Sequence, residues 1–334
     1  MKKFLSLLVV LNLSCSFSAD LKLPLPKYEL PGSSKAQMES YMKMMQEAWQ
    51  KVQVYPQGYM RYGQQRVMNL VTPQIYYLFY GDPNEPDLRM LGQFVEPATF
   101  LPSPLTKDLR VPLIIVLHDQ EGSSDYSGPQ RKWAMSLGAR GYFVFLADLF
   151  GRDISIKDYQ QAKEFPKRQH QILLNDRAAL QRRIDLALSA VVMKGRSEFQ
   201  LKNVDTSKVV VVGFGFGGQA ALDLARTNAK VKGVVSVYGN LTKPNSVDSA
   251  ANTGVKLLAF HGYNDATNSN QTVKQFRKEM QDLNANWRLH VFGNTGSKFA
   301  RQSWDPNDVA DYNPKSSLRA FEMSMKFIEQ TATD

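Results

Sequence analysis

The residues most able to organise chemistry lie in one short run, Gly213-Phe214-Gly215-Phe216-Gly217-Gly218, directly after Lys208-Val209-Val210-Val211-Val212. Four successive valines without a polar break read as a strand buried on both faces. Gln219 to Asn228 reads as a helix, so the glycines form the turn between the two. In α/β enzymes such a turn either cradles a pyrophosphate or lifts a nucleophile above the sheet on a strained elbow. Gly213, Gly215 and Gly218 satisfy G-x-G-x-x-G. The next apolar run, Gly233 to Asn240, ends without the acidic residue that would hold a ribose. No dinucleotide or other cofactor is expected.

An elbow needs small residues two before and two after its nucleophile so that helix and strand can approach closely, and Gly213 and Gly217 meet that need. The residue between them is Gly215, which has no side chain to react. A side chain there would cost about 1 to 3 kcal/mol of backbone strain, which glycine removes. The turn is kept and its chemistry is dropped.

Four histidines are the remaining bases. His118, at the end of an apolar strand beside Asp119, faces a site above the elbow or is hydrogen-bonded beneath a loop. His261 precedes Gly262 at another strand end, with the same two readings. His170 lies in a polar helix start and is expected to be exposed, and His290 to be packed on a sheet face. Asp265 reads as a hydrogen-bond anchor for its loop and Asp148 as structural. Ser123, Ser124 and Ser127 leave open a displaced serine nucleophile working with His118. No histidine pair has ligand spacing, and Asp119, Glu121 and Asp125 read as a solvated acidic loop, so no metal is expected.

These groups sit on a chain of 334 residues, 43% hydrophobic and 22% charged, which is ordinary for a globular protein. The net charge of +10 comes from scattered Lys and Arg with no nucleic-acid module. Lys163 to Arg168 and Arg177 to Arg183 read as helix faces over water. Weak attraction to anionic surfaces or membrane is the expected consequence of the basic balance. Met1-Lys2-Lys3 followed by Phe4 to Leu13 is a basic end and an apolar run too short to span a bilayer, with small residues to Ala19 after it. Residues 1–19 therefore read as a signal peptide and the protein as exported, periplasmic or extracellular. The single cysteine, Cys15, also suggests a lipid-anchored form, but Asn12 stands where a leucine is expected.

Leu21 to Gly32 is a proline-rich arm, and Met38 to Val52 carries an apolar stripe at helical spacing, so residues 20–73 read as an accessory segment. Val67 to Val71 looks strand-like. Ile75 to Tyr80 and Arg89 to Val95, joined by the turn-rich Gly81 to Asp87, predict a hairpin ahead of the main sheet. Pro97, Pro102 and Pro104 mark a connector. Strands are then expected at Val111 to Leu117, Tyr142 to Ala147, Val209 to Val212, Val231 to Tyr238, Val255 to Phe260 and Arg288 to Phe292. Helices are expected at Gly128 to Leu137, Ile172 to Met193, Gln219 to Asn228, Asn270 to Leu283 and Ser316 to Gln330. This alternation predicts an α/β fold with a mostly parallel central sheet flanked by helices over 74–331, and reactive groups at the carboxyl ends of its strands.

From Tyr76 to Gln330 the chain resembles the dienelactone hydrolase family of α/β-hydrolases. The resemblance is carried by His118 to Tyr126, by Leu137 to Gly151, by the elbow Gly213 to Gly218, and by Lys232 to Leu241. His261-Gly262-Tyr263-Asn264-Asp265 and Phe292 to Phe299 complete it. The resemblance implies an α/β-hydrolase fold and a Cys-His-Asp triad of which only the acid, Asp265, is present. Gly215 stands at the nucleophile position, Ser297 at the histidine position, and Asp119 where the family carries a glutamate beside its loop histidine. His118, Asp119, Phe214 and Phe216 are expected around a ligand pocket or oxyanion loop. A member so altered is expected to have lost hydrolysis and to bind an unknown small molecule or protein partner. The alternative is an ester or lactone hydrolase with relocated catalytic residues.

Overall fold

The computed structural model describes residues 74–97, 110–123, 128–198, 204–227, 229–245, 247–251, 253–301 and 311–333, and short strands at 52–54, 60–62 and 65–66. The signal peptide, the proline-rich arm, the strand expected at Val67 to Val71, Pro102, Pro104, Ser124, Asp125, Tyr126 and Ser127 lie outside them, as does all of the accessory helix but its last residue. That residue, Val52, belongs to a strand. β1 (Val52–Val54), β2 (Met60–Tyr62) and β3 (Gln65–Arg66) form a small antiparallel sheet.

The main sheet has nine strands. β4 (Gln74–Asp82) and β5 (Glu85–Glu96) form the expected hairpin, followed by β6 (Val111–Leu117), β7 (Phe143–Ala147), the two-residue β8 (Arg152–Asp153), β9 (Val204–Phe214), β10 (Gly233–Val237), β11 (Lys256–Gly262) and β12 (Asn286–Phe292). Their spatial order is β12-β11-β10-β9-β6-β7-β5-β4, with β8 paired to β5. The six strands from β12 to β7 are parallel. The hairpin adds antiparallel through β5 to β7, so it extends the sheet instead of standing ahead of it.

Both faces are covered, which is why β6, β7 and β10 are buried at every position. Alternate residues serve opposite cores. Val209 and Val211 join Leu113, Ile115 and Leu117 on one face, while Val210 and Val212 join Ile114 and Val116 on the other. The first core is closed by α3 (Arg177–Glu198), α4 (Phe216–Arg226) and α5 (Asn270–Asp282), the second by α1 (Pro129–Ala139) and α6 (Pro314–Thr333).

The helix expected from Ile172 to Met193 is two helices, α2 (Tyr159–Asn175) and α3, because Asp176 leaves the helical conformation and its Oδ1 accepts the N–H of Ala179 at 2.9 Å. Asp158 caps α2 in the same way through the N–H of Gln161. The basic run Arg177 to Arg183 is not a solvent face. Arg177 and Arg183 are buried, the first on Asp223 (Nε to Oδ2 2.8 Å), the second on the Leu149 carbonyl (2.7 Å), Gln169 and Glu85. Such acceptors offset most of the cost of burying the two guanidinium groups, although Arg177 Nη1 and Arg183 Nε are buried without one.

Candidate functional site

The site is built where β9 ends and α4 begins. Gly213 and Gly217 must be small: a Cβ on Gly217 would stand 2.5 Å from the Leu117 carbonyl oxygen, and one on Gly213 would strike the Gly217 backbone. Between them Gly215 has φ 48° and ψ −108°, a conformation costly to any residue with a side chain. This is the strained strand-to-helix elbow expected from the sequence, with hydrogen where a nucleophile would project.

The space above that hydrogen is filled by another residue. A Cβ built on Gly215 would overlap Asp119 Oδ1 and lie 2.5 Å from its Cγ and 2.7 Å from its Oδ2. Asp119 comes from the loop after β6 and is 4% exposed. Its Oδ1 accepts the N–H of Gln120 at 2.8 Å and the N–H of Phe216 at 3.1 Å. In an elbow hydrolase the N–H after the nucleophile and an N–H from a loop after a neighbouring strand form the oxyanion hole. The geometry here places the chain's own carboxylate on both donors. Oδ2 is buried without a hydrogen-bond partner. Burial, then the negative charge of Glu121, raise the Asp119 carboxyl from 3.8 to about 6, against the pull of the two amides and of Lys298.

Around this pair Glu121 Oε1 receives Lys298 Nζ at 3.2 Å and lies 3.5 Å from Arg301 Nη1, joining the acidic loop to the segment after β12. The acidic loop is therefore not simply solvated. His170 is a second departure. It is half-buried, edge-on to Phe216 with ring centroids 5.0 Å apart and 6.2 Å from the Phe150 centroid. Its pKa is lowered, by burial first.

The other expected residues are committed elsewhere. His118 is fully buried. Its Nε2 accepts the N–H of Leu149 at 2.9 Å, so its Nδ1 carries the proton and donates to the Asp119 carbonyl at 2.7 Å. Both ring nitrogens serve the backbone, and burial lowers its pKa. Asp265 anchors its loop, accepting from the N–H of Thr267 (2.8 Å) and from Asn268 (2.8 Å), with His261 Nδ1 3.6 Å away, beyond a hydrogen bond. Burial pushes its carboxyl up, but the nearby His261 ring first, then Asn268 and Thr267, outweigh it and leave the pKa lowered. Ser297 donates to Asp311 Oδ2 at 2.9 Å. Asp148 holds the N–H groups of Leu91, Phe150 and Gly151, and is structural as expected. His290 stacks on Phe260.

Phe214 points away from the site into the core, between Trp133 and Tyr238. Phe216 stays beside it, against Phe150 and His170. The elbow thus gathers Gly215, Asp119 and Phe216, together with Gln120, Glu121, Lys298 and His170, while Asp265 and Ser297 turn to other partners. Among the described residues no group of three or more His, Cys, Asp or Glu could hold a metal ion.

A doubly covered, mostly parallel sheet with a strained turn after a central strand defines an α/β-hydrolase fold. One solved structure of similar fold is an α/β-hydrolase enzyme from a Medee basin deep-sea metagenome library, at TM-score 0.54 and 14% identity over 79% of this chain and 99% of that one. Another is a dienelactone hydrolase-like promiscuous phosphotriesterase from metagenomic libraries, at TM-score 0.61 and 23% identity over 78% and 99%. The model of the dienelactone hydrolase family matches residues 98–332, and the chain belongs to that family. It is also 24% identical to a Yersinia pestis protein provisionally named a carboxymethylenebutenolidase, over 210 residues that make up 61% of this chain and 70% of that one.

Proposed function

We propose that this family member no longer performs acyl transfer at its elbow and acts as a non-hydrolytic ligand-binding or scaffolding protein. The observation that carries the reading is Asp119 Oδ1 on the N–H groups of Gln120 and Phe216 above a nucleophile position that is glycine. An oxyanion formed on a substrate needs those donors, and an ionised carboxylate on them also repels it. Triad enzymes stripped of a triad member keep only about 10³ to 10⁴-fold acceleration, and that remainder comes from the oxyanion hole and binding. Here the hole is filled as well.

The competing reading, an ester or lactone hydrolase with relocated groups, draws on one observation: the His170 imidazole packed against Phe216, next to the elbow. Incubation of the purified protein with p-nitrophenyl acetate separates the two. Release of nitrophenol should match that of the Gly215→Ala, Asp119→Ala and His170→Ala variants. Turnover lost on His170→Ala or Asp119→Ala, or an acyl group found on any side chain, would establish the hydrolase instead. Export rests on residues 1–19 and is tested by the N-terminal sequence of the protein recovered outside the cytoplasm.

A further inference from the structure

The hairpin that extends the sheet has two unlike faces. On one, Leu78, Tyr80, Met90 and Phe94 are buried in the first core, where β4 packs against α3. On the other, strand pairing sets Ile75 opposite Val95, Tyr77 opposite Gln93, Phe79 opposite Leu91 and Gly81 opposite Arg89. β8 continues the last row, with Arg152 opposite Arg89. Ile75 and Val95 still pack in the second core, and Arg131 of α1 reaches Gln93 Oε1 at 3.5 Å. Beyond that row the face turns to solvent: Tyr77 is 52% and Phe79 59% exposed, and Arg89 and Arg152 are exposed with them.

Two features set this corner apart from ordinary surface. Its aromatic side chains stand two apart on one strand, so they form a single apolar strip on one side of the sheet. Beside the strip, two guanidinium groups occupy a directly opposed cross-strand pair, where like charges repel. Neither has a carboxylate partner among the described residues. Arg89 Nη1 donates only to the carbonyls of Pro86 and Leu88, lying over Gly81. Asp153 follows Arg152 in the strand, so its side chain turns to the opposite face, where its Oδ1 holds the N–H and Oγ of Ser155 at 2.9 and 2.6 Å.

We infer that this corner of the sheet is a docking face for an anionic bilayer surface, with Arg89 and Arg152 on lipid phosphates and Tyr77 and Phe79 in the headgroup layer beside them. An anion between the two arginines relieves their repulsion, and guanidinium groups take phosphate oxygens through paired N–H donors. Exposed aromatic rings settle at the boundary between headgroups and acyl chains. A bilayer supplies both partners at once over a broad flat area, whereas a free phosphate leaves the aromatic strip unused. The net charge of +10 adds attraction at longer range. The inference goes beyond the elbow and holds whether or not that turn performs chemistry.

The test sediments the full chain with vesicles of phosphatidylcholine containing one third phosphatidylglycerol, and with phosphatidylcholine alone, at low and at high salt. The wild type should bind the anionic vesicles, more weakly at high salt, and leave the neutral ones in solution. Arg89→Gln with Arg152→Gln should weaken binding about 25-fold, at about fivefold for each charge near the surface. Lys274→Gln with Arg277→Gln, an equal loss of charge on the exposed side of α5, should change it by less than about twofold. Tyr77→Ser with Phe79→Ser should weaken binding at least about tenfold while keeping the salt dependence. Phe79→Trp should add emission that shifts to the blue on anionic vesicles. The inference is overturned if the wild type does not bind them, or if the two charge-removing pairs cost the same, since net charge alone would then be at work. It also falls if Tyr77→Ser with Phe79→Ser lowers the thermal unfolding midpoint by several degrees or converts a dimer to a monomer in sedimentation equilibrium. The face would then be covered by the chain itself or by a second copy.

Discussion

The overlap between Asp119 and the space above Gly215 predicts a specific non-additivity. Gly215→Ala adds a Cβ in a backbone at φ 48° that costs a side chain about 1 to 3 kcal/mol. The same Cβ collides with the Asp119 carboxylate, 2.5 Å from its Cγ, and overpacking of this kind costs about 1 to 3 kcal/mol more. Asp119→Ala alone leaves the Gln120 and Phe216 N–H groups unpaired, a loss of about 1 to 3 kcal/mol for each and so about 2 to 6 kcal/mol for both. It also removes a carboxylate whose rise from 3.8 to about 6 corresponds to a penalty of about 3 kcal/mol at neutral pH. The two partly offset, so Asp119→Ala should lie within about 3 kcal/mol of wild type at pH 7. In its background Gly215→Ala should cost only the backbone strain. A double-mutant cycle by equilibrium denaturation should therefore show the double variant about 1 to 3 kcal/mol more stable than the sum of the single ones. Additivity within about 0.5 kcal/mol would mean that the carboxylate does not occupy the space above Gly215.

Other perturbations test neighbouring parts of the structure. Asp119 binds a proton in the folded state between 3.8 and about 6, where the unfolded chain has already released it. Its contribution therefore makes stability fall as pH rises through that window. Asp119→Asn should remove this slope in denaturation midpoints compared across pH, and an unchanged slope would locate the proton elsewhere. Arg226→Met strips partners from Glu279 (2.9 Å), Asp223 (3.2 Å) and the Leu241 carbonyl (2.7 Å), and should cost about 3 to 5 kcal/mol by denaturant midpoint. A loss under 1 kcal/mol would show that the network relaxes freely. Asp176→Ala removes the cap that starts α3 and should cost about 1 kcal/mol, while Asp176→Asn should retain most of it.

The sheet was largely legible because its strands announce themselves as unbroken apolar runs, and burial on both faces is what such runs mean. Val209 to Val212 and Val111 to Leu117 fall where expected, and the family resemblance matches the fold found. The misreadings have common causes. The break at Asp176 is a side-chain cap inside a continuous helical pattern, and an Asp followed three residues later by an orphan amide is a weak signal among many charged residues. Arg177 and Arg183 read as solvated because a sequence prices charge without its partners, and theirs lie 46 and 98 residues away at Asp223 and Glu85. His170 read as exposed because its neighbours in sequence are polar, although α2 lays its ring against Phe216.

The composition of the elbow was legible, but what stands in it was not, since Asp119 and Gly215 are 96 positions apart and meet only through the pairing of β6 with β9. On the proposed reading, a cysteine and a histidine placed at the two altered positions would not be enough to make a working triad. Gly215→Cys with Ser297→His puts a thiol into space already held by a carboxylate, and an imidazole where Ser297 now bonds to Asp311, not to Asp265. That double variant should be inert toward aryl esters. Adding Asp119→Ala clears both the nucleophile's space and the two amides, so thioester formation at the introduced cysteine should rise above the double variant, detected by mass after a brief pulse of p-nitrophenyl acetate. Equal labelling with and without Asp119 would show that the carboxylate neither blocks the thiol nor occupies the donors that its tetrahedral intermediate needs.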